Sequence, residues 1–414
     1  MRAVSGDWGA AENDLPTSTL RDEWREVVGG RAFDDLVGGV LDALRISPPA
    51  YVFSVFGQPT SWLPAPYSEF GLLYTWRLLR TVTYVADVGL PSVPLTAPAW
   101  FPEPLAPLFW HPSRIAQRPD HNAGWSSHRR ESWFFVNGIM TNHAMSQLNA
   151  AYLADLFHRP ITLVQNSTGG LVEDLLECAL DKAFGRTGEA ARTAVPPIYD
   201  ALKDADTTRV VVVAHSQGTI VASVVLRFLA LLYRGRRGAP AGARALAEAP
   251  EPIIPRELPL DPSDFEPLYR DELAKLELYC FANCATEMRY LDRDGDAPLP
   301  WIESYGNEFD IVARLGVLAP NASARGVAID GPRYEHKRAW GHLLNQHYLR
   351  AIDSAQRKGH KQGPRQDRAT PYVLVNEADH PDAGIPRLFR YLNGGSAPPR
   401  GHRAAVAEAR AAAS

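Results

Sequence analysis

The chain has 414 residues, of which 45% are apolar and 22% charged, and its formal net charge is −4. This composition is typical of a globular protein with a large core, and the length allows one enlarged α/β domain or two smaller ones. The balanced charge lacks the basic footprint of a nucleic-acid-binding protein, so no nucleic-acid partner is expected. Three cysteines are too few for a disulfide framework. We therefore expect Cys280 and Cys284 to be free, buried thiols.

Residues 1–130 are predicted to form an irregular N-terminal extension that packs on or covers the core. A helix is expected near residues 19–45, whereas residues 97–112 are too rich in proline for regular structure. The acidic N-terminus has no apolar stretch, so no secretory signal is predicted.

The longest apolar run, residues 210–233, is interrupted by polar and charged residues, which argues against a transmembrane segment. These residues are His215, Ser216, Gln217 and Arg227. The expected compartment is the cytoplasm.

Strand-like and helix-like segments alternate through residues 131–355, the predicted core domain. Strands are predicted at 133–139, 160–168, 210–213, 276–285 and 299–313, and helices at 144–159, 171–184, 220–232 and 341–353. This alternation predicts an α/β fold with a doubly wound, mostly parallel sheet and right-handed crossovers.

Two segments fall outside this alternation. Residues 234–270 form an insert rich in Pro, Ala, Arg and Gly after the third predicted helix. Because ligand sites in open α/β sheets lie at the carboxyl ends of the strands, we expect this insert and part of the aromatic N-terminal region to wall an acyl pocket there. Residues 356–414 are predicted to be a C-terminal extension with a mobile or weakly helical end.

The segment VVVVAHSQGT sets a serine between two strongly hydrophobic runs. The valines are typical of a strand buried on both faces of a parallel sheet. The following run has apolar residues at helical spacing, which predicts a helix packed on that sheet. Between them the backbone must reverse, and the small residues Ala214 and Gly218 permit a tight turn with Ser216 at its tip. Ser216 is therefore a candidate nucleophile, and His215 is interpreted as a packed or hydrogen-bonded neighbour.

A serine hydroxyl needs a base that takes its proton and an acid that orients the base. Asp310 lies just beyond a predicted strand, and His342 follows a glycine at the start of the last predicted helix. The chain order Ser, Asp, His is the one associated with a nucleophile on a strand–turn–helix. The rival acids are Glu308, Asp292, Asp294 and Asp296.

His347 is the rival base in the segment GHLLNQHYL. At about 100° per residue, its five-residue offset from His342 rotates it roughly 140° away around a helix. Both histidines therefore cannot face one serine, and we expect His347 to be a packed residue bonded to a neighbouring backbone group. Four other histidines show no metal-binding spacing, so no metal site is expected; they are His111, His121, His128 and His143.

An oxyanion formed at Ser216 would be bound by backbone N–H groups. The first turn of the helix after the serine offers the N–H of Gln217. The segment FVNGIMTN offers a second donor, the N–H of Ile139, because Gly138 lets the backbone approach closely and Asn137 can fix the loop by side-chain hydrogen bonds.

These segments resemble the α/β-hydrolase superfamily, in particular its lipase- and esterase-like serine hydrolases. VVVVAHSQGT is similar to the nucleophile turn, FVNGI to the oxyanion strand and loop, and NEFDIVARLG to the segment that bears the acid. The likeness covers roughly residues 130–355 and departs at two positions, where Ala214 replaces the usual glycine and Asn137 stands where many members have histidine. It implies a Ser-His-Asp hydrolase of ester-like bonds without a metal or organic cofactor.

The resulting expectation is an enzyme that cleaves a carboxylic ester of a small or lipid-like molecule. A thioesterase, an amidase or an acyltransferase would use the same three residues. A non-catalytic binding protein on the same scaffold is the alternative from another class.

Overall fold

The computed structural model describes Tyr67, Glu69 and residues 114–117, 130–138, 141, 143–165, 186–236, 260–293, 298–319, 327–354, 370–380, 383 and 385–398. The strands are β1 Arg114–Gln117, β2 Glu131–Val136, β3 Thr162–Gln165, β4 Arg209–His215, β5 Leu276–Phe281, β6 Glu287–Met288, β7 Trp301–Phe309, β8 Ala328–Ile329, β9 Arg333–Trp340 and β10 Val373–Leu374. Five α-helices of the described residues are α1 His143–Phe157, α2 Arg186–Lys203, α3 Gly218–Leu232, α4 Arg270–Leu273 and α5 Ile311–Leu315. A last helix begins as a π-helix, Leu344–Leu349, and continues as an α-helix to residue 354. Short 3-10 segments cover Pro262–Asp264 and Arg387–Gly394.

One eight-stranded sheet organises the fold, in the order β1-β3-β2-β4-β5-β7-β9-β10. Every neighbouring pair from β3 to β9 is parallel. The two edge strands β1 and β10 pair antiparallel, and β6 and β8 form a separate small sheet. The predicted α/β fold with a mostly parallel sheet is confirmed.

Alternate residues of each central strand supply two separate cores, one on each face of the sheet. Trp133 and Phe135 of β2 pack with α1 and the last helix. Phe134 and Val136 point to the opposite face, which α2 and α3 cover. Because both faces are buried, the valine run of β4 is apolar at every position rather than alternating.

The order of the strands reverses between β2 and β4. From β2 the chain moves outward to β3, returns to pair β4 on the other side of β2, and then continues through β5, β7 and β9. The connections that follow β2 and β4 therefore run in opposite directions, and ligands of open α/β sheets bind at such a reversal point. Ser216 follows β4 directly, and Asn137 follows β2.

Several predicted elements were wrong or incomplete. Helix α2 was missed because Pro196 and Pro197 lie inside it, and proline is normally a helix breaker. The predicted strand at 299–313 ends at Phe309, since Asp310 begins helix α5. The predicted helices near 19–45 and at 171–184, together with most of the insert at 234–270, lie outside the described residues.

The terminal extensions contribute to the sheet and its core. Strand β1 lies in the segment predicted to be irregular and pairs with β3. In the C-terminal extension, three aromatic residues are buried in the core that contains α1: Tyr372, Phe389 and Tyr391. The end of the C-terminal extension, beyond residue 398, lies outside the described residues.

Cys280 and Cys284 are free and buried, as expected. Within the described ranges, the helices are too short or too polar to cross a membrane.

Candidate active site

The turn after β4 holds Ser216 in a backbone conformation that a serine rarely adopts. Its φ is +55°, in the left-handed region that costs a side-chain-bearing residue on the order of 1–3 kcal/mol. The Ser216 N–H donates to the carbonyl of Phe281, at the end of the neighbouring strand, over 2.9 Å. Helix α3 then begins at Gly218. A Cβ at that position would lie 2.4 Å from the carbonyl oxygen of Val136, so only glycine lets the helix start this close to β2.

Asp310 follows the last residue of β7 and is completely buried. Its Oδ1 accepts a 2.9 Å hydrogen bond from the Val312 N–H and so caps α5. Its Oδ2 accepts from the hydroxyl of Tyr348 at 2.6 Å and pairs with Nδ1 of His342 at 2.8 Å. Burial alone would raise the pKa of this carboxyl, but the His342 charge and these hydrogen bonds outweigh it and hold the pKa below its usual range. Asp310 is therefore kept as a carboxylate.

His342 joins the serine to this carboxylate. Its Nε2 lies 2.9 Å from Ser216 Oγ, while its Nδ1 lies 2.8 Å from Asp310 Oδ2. Since a carboxylate only accepts hydrogen bonds, Nδ1 carries the proton and Nε2 offers its lone pair to the serine hydroxyl. The structure thus brings together the three residues predicted from the sequence.

Two hydrogen bonds to backbone carbonyls hold the turn that carries His342. Gly341 has a φ of +95°, and its carbonyl accepts a 2.9 Å hydrogen bond from Nδ2 of Asn307. The carbonyl of His342 itself lies 2.8 Å from Nε2 of His215. These two contacts tie the turn to the ends of β7 and β4, the strands that carry the acid and the nucleophile.

His215 is a neutral histidine that packs on the ring of His342, with ring centroids 4.7 Å apart. Burial and the nearby His342 charge lower the pKa of His215 to about 3. Because its Nε2 faces a carbonyl oxygen, that nitrogen carries the proton and donates. Its Nδ1 is a buried acceptor without a hydrogen-bond partner among the described residues. The expectation of a packed, hydrogen-bonded histidine is confirmed.

His347 bonds a backbone group at the start of its own helix. Its Nδ1 accepts a 2.9 Å bond from the N–H of Leu343, and its ring occupies the space where a Cβ at Gly341 would lie, within 2.4 Å of Nδ1. The expected packing of His347 against a neighbouring backbone group is confirmed.

The loop after β2 lies directly against the serine. A Cβ on Gly138 would come within 2.5 Å of Ser216 Cβ, so this close approach requires glycine. Asn137 Nδ2 donates to the Gly138 carbonyl at 3.2 Å and to Thr141 Oγ1 at 2.5 Å. The predicted fixing of the loop by Asn137 is therefore present. Of the two expected oxyanion donors, Gln217 directly follows Ser216, and Ile139 lies outside the described residues.

The rival acids that the structure describes make other contacts. Asp292 pairs with Arg270 and accepts from the hydroxyl of Tyr233. Glu308 accepts a 2.6 Å hydrogen bond from the N–H of Arg338. Asp294 and Asp296 lie outside the described residues.

Sequence reasoning missed Tyr348 and Asn307 as parts of this site. Tyr348 lies in the last predicted helix and its ring is buried among apolar residues, but its hydroxyl bonds Asp310. Asn307 lies three residues before Asp310, in the segment NEFDIVARLG that resembles the hydrolases. That resemblance could have pointed to Asn307 as part of the site.

The site is a buried chain of three hydrogen-bonded groups: a hydroxyl, an imidazole and a carboxylate. Ser216 and Asp310 have no exposed surface and His342 is 3% exposed. The geometry is that of a serine whose proton a positioned base can take. The fold places the chain in the α/β class with a mostly parallel sheet. Neither a protein-family model nor a curated protein matches the chain, so its function is inferred from this site.

Proposed function

We propose that the protein is a serine hydrolase that cleaves carboxylic esters. The observation that carries the proposal is the continuous path from Ser216 Oγ through His342 to Asp310, with bonds of 2.9 and 2.8 Å. It lies at the reversal point of the sheet, where ligands of α/β proteins bind. The strained backbone of Ser216 adds support, because such strain concentrates at functional residues.

In the proposed reaction, Ser216 Oγ attacks the ester carbonyl carbon while His342 Nε2 takes the hydroxyl proton. Asp310 stabilises the imidazolium that forms and keeps its ring in place. The tetrahedral intermediate collapses when the imidazolium gives its proton to the leaving alkoxide, which leaves an acyl-serine. Water, deprotonated by the same imidazole, then attacks the acyl group. The second tetrahedral intermediate collapses when the imidazolium returns its proton to Ser216 Oγ, which releases the acid and restores the serine. General-base help of this kind contributes roughly 10²–10⁴-fold to a rate.

The oxyanion of both tetrahedral intermediates would be bound by backbone N–H groups. Gln217 is the residue that follows the nucleophile, and its N–H is the first candidate. Ile139, in the loop after β2, is the second candidate by the sequence resemblance. The loss of one such donor typically costs on the order of 10²–10³ in rate.

Covalent labelling tests the proposal most directly. A fluorophosphonate probe should label the wild-type protein and should not label Ser216→Ala. The matched control is Ser223→Ala, which removes a buried serine hydroxyl from helix α3. In the described structure that hydroxyl donates to the Glu287 carbonyl, and the variant should label like the wild type. A wild-type protein that resists the probe while it is fully folded would contradict the proposal.

The substrate class follows from hydrolysis rates on nitrophenyl esters of increasing acyl length. We expect turnover of oxygen esters to disappear in Ser216→Ala. A clear preference for thioesters or anilides over the matched oxygen ester would instead assign the same three residues to a thioesterase or an amidase.

A further inference from the structure

Glu69 is a buried carboxylate next to the turn that carries His342, yet it comes from the predicted N-terminal extension. It is 1% exposed. Its Oε1 accepts a hydrogen bond from Asn149 Nδ2 in α1 at 2.7 Å and one from the Asn345 N–H at 3.1 Å. Its Oε2 accepts from the Gln346 N–H at 2.9 Å. All three partners are donors, and two of them are the first-turn N–H groups of the last helix.

The start of a helix suits a negative charge, because its first N–H groups lack intrahelical partners and the helix dipole is positive there. Burial nevertheless raises the pKa of Glu69, and the hydrogen bonds to Gln346, Asn345 and Asn149 only partly offset this. Placing a carboxyl group here is therefore costly. The two backbone N–H groups that bind this carboxyl group lie three and four residues after His342, which points to a role beyond filling space.

A second contact from the same segment reaches the same turn. The carbonyl of Tyr67 accepts a 2.9 Å hydrogen bond from Nδ2 of Asn345, and the Tyr67 ring stacks on Tyr152 of α1 at 5.0 Å. Tyr67 and Glu69 thus contact both α1 and the start of the last helix. Together with the His215 contact to the His342 carbonyl, these contacts hold the turn.

We propose that Glu69 is a positioning residue that fixes the orientation of His342 by holding the first turn of the last helix. Only the kinetic consequence of this inference, a loss of ester hydrolysis, rests on the proposed function. Its structural consequence, the rigidity of the His342 ring against Asp310, is measurable without substrate.

Glu69→Gln is the sharpest variant, because it keeps the side-chain volume but replaces one acceptor oxygen with an NH₂ donor. In either amide orientation, that donor faces an N–H group: Gln346 on one side, or Asn345 and Asn149 on the other. The matched control is Glu303→Gln. Glu303 is also fully buried and accepts from two first-turn N–H groups of another helical segment, those of Arg387 and Leu388. It lies near the start of β7, about 20 Å from Asp310 at the far end of the strand.

The first readout is the Nδ1–H proton of His342 in protein labelled with ¹⁵N-histidine, assigned by its absence in His342→Asn. We expect Glu69→Gln to increase its exchange with solvent at least tenfold or to abolish the signal, and Glu303→Gln to leave it unchanged. The second readout is ester hydrolysis, in which Glu69→Gln should lower kcat at least tenfold with KM changed less than threefold.

An unchanged Nδ1–H signal in folded Glu69→Gln would overturn the positioning role, whether or not the protein hydrolyses esters. If the signal changes in Glu69→Gln but fluorophosphonate does not label the wild-type protein, the positioning role stands and the hydrolase proposal is rejected. If Glu69→Gln fails to fold, Asn149→Ala removes one donor to the same carboxylate and should increase the exchange in the same direction. An unchanged signal there would overturn the role as well.

Discussion

The hydroxyl of Tyr348 donates a 2.6 Å hydrogen bond to Oδ2 of Asp310, the same oxygen that faces Nδ1 of His342 at 2.8 Å. Burial and the Asp310 charge raise the pKa of Tyr348 well above its ordinary value, so the phenol remains a donor. The buried carboxylate thereby keeps its negative charge next to the imidazole. In the proposed reaction this charge stabilises the imidazolium, which makes Tyr348 an indirect contributor to catalysis.

Tyr348→Phe should therefore lower kcat/KM for ester hydrolysis roughly tenfold, since a hydrogen bond to a charged group contributes about 1.5–3 kcal/mol. The control is Tyr391→Phe, which removes an equally short 2.6 Å bond to another buried carboxylate, Glu277. Steady-state kinetics and thermal unfolding should show a loss of stability in both variants and a loss of activity in Tyr348→Phe alone. Equal activity in the two variants would exclude a role for the Tyr348 hydroxyl.

The second prediction concerns the stability of the protein at mildly acidic pH. The pKa of His215 is lowered to about 3 in the folded chain from an ordinary value of 6.5, first by burial and then by the His342 charge, with an opposing effect of Asp310. Below pH 6.5, His215 therefore binds a proton in the unfolded chain but not in the folded chain. Stability is fully present above pH 6.5 and falls as the pH drops towards 3. Between pH 7.5 and 5 this single group should cost about 2 kcal/mol.

His215→Gln isolates that contribution, because the Gln amide can still donate to the His342 carbonyl but does not titrate. Urea unfolding at pH 7.5 and pH 5 should show a smaller loss of stability on acidification in the variant than in the wild type. The other titrating groups are common to both proteins and cancel in the comparison. Parallel pH dependence in the two proteins would mean that His215 does not stay neutral.

The three proposed catalytic residues could be selected from the sequence because each stands beside a local signal. Ser216 lies in a turn between two apolar runs, Asp310 just beyond a predicted strand, and His342 after a glycine. The parallel sheet was predictable for the same reason, since its central strands are short apolar runs. Local patterns of this kind can be recognised in a single sequence.

The missed parts depend on contacts between distant segments. Glu69 lies 276 residues from Asn345, and no periodicity near either residue indicates that they meet. Tyr348 has its ring buried among apolar residues, and nothing in the neighbouring sequence indicates that its hydroxyl bonds Asp310, 38 residues away. Helix α2 was hidden by its proline pair. In each case tertiary packing outweighs the local preference.

The last prediction separates the two histidines of the final helix. His342 bonds both the serine and the carboxylate, so His342→Ala should lower kcat/KM by several orders of magnitude while the protein still folds. His347 accepts the Leu343 N–H and packs under Gly341. His347→Ala would leave that buried donor unpaired, at a cost of about 1–3 kcal/mol, so it should lower the melting temperature and leave kcat/KM within about tenfold of the wild-type value. Kinetics at a temperature where both variants are fully folded, paired with thermal unfolding, measure the two effects separately. Full activity in His342→Ala and none in folded His347→Ala would assign the base to His347, which the structure can accommodate only if the turn at Gly341 rearranges.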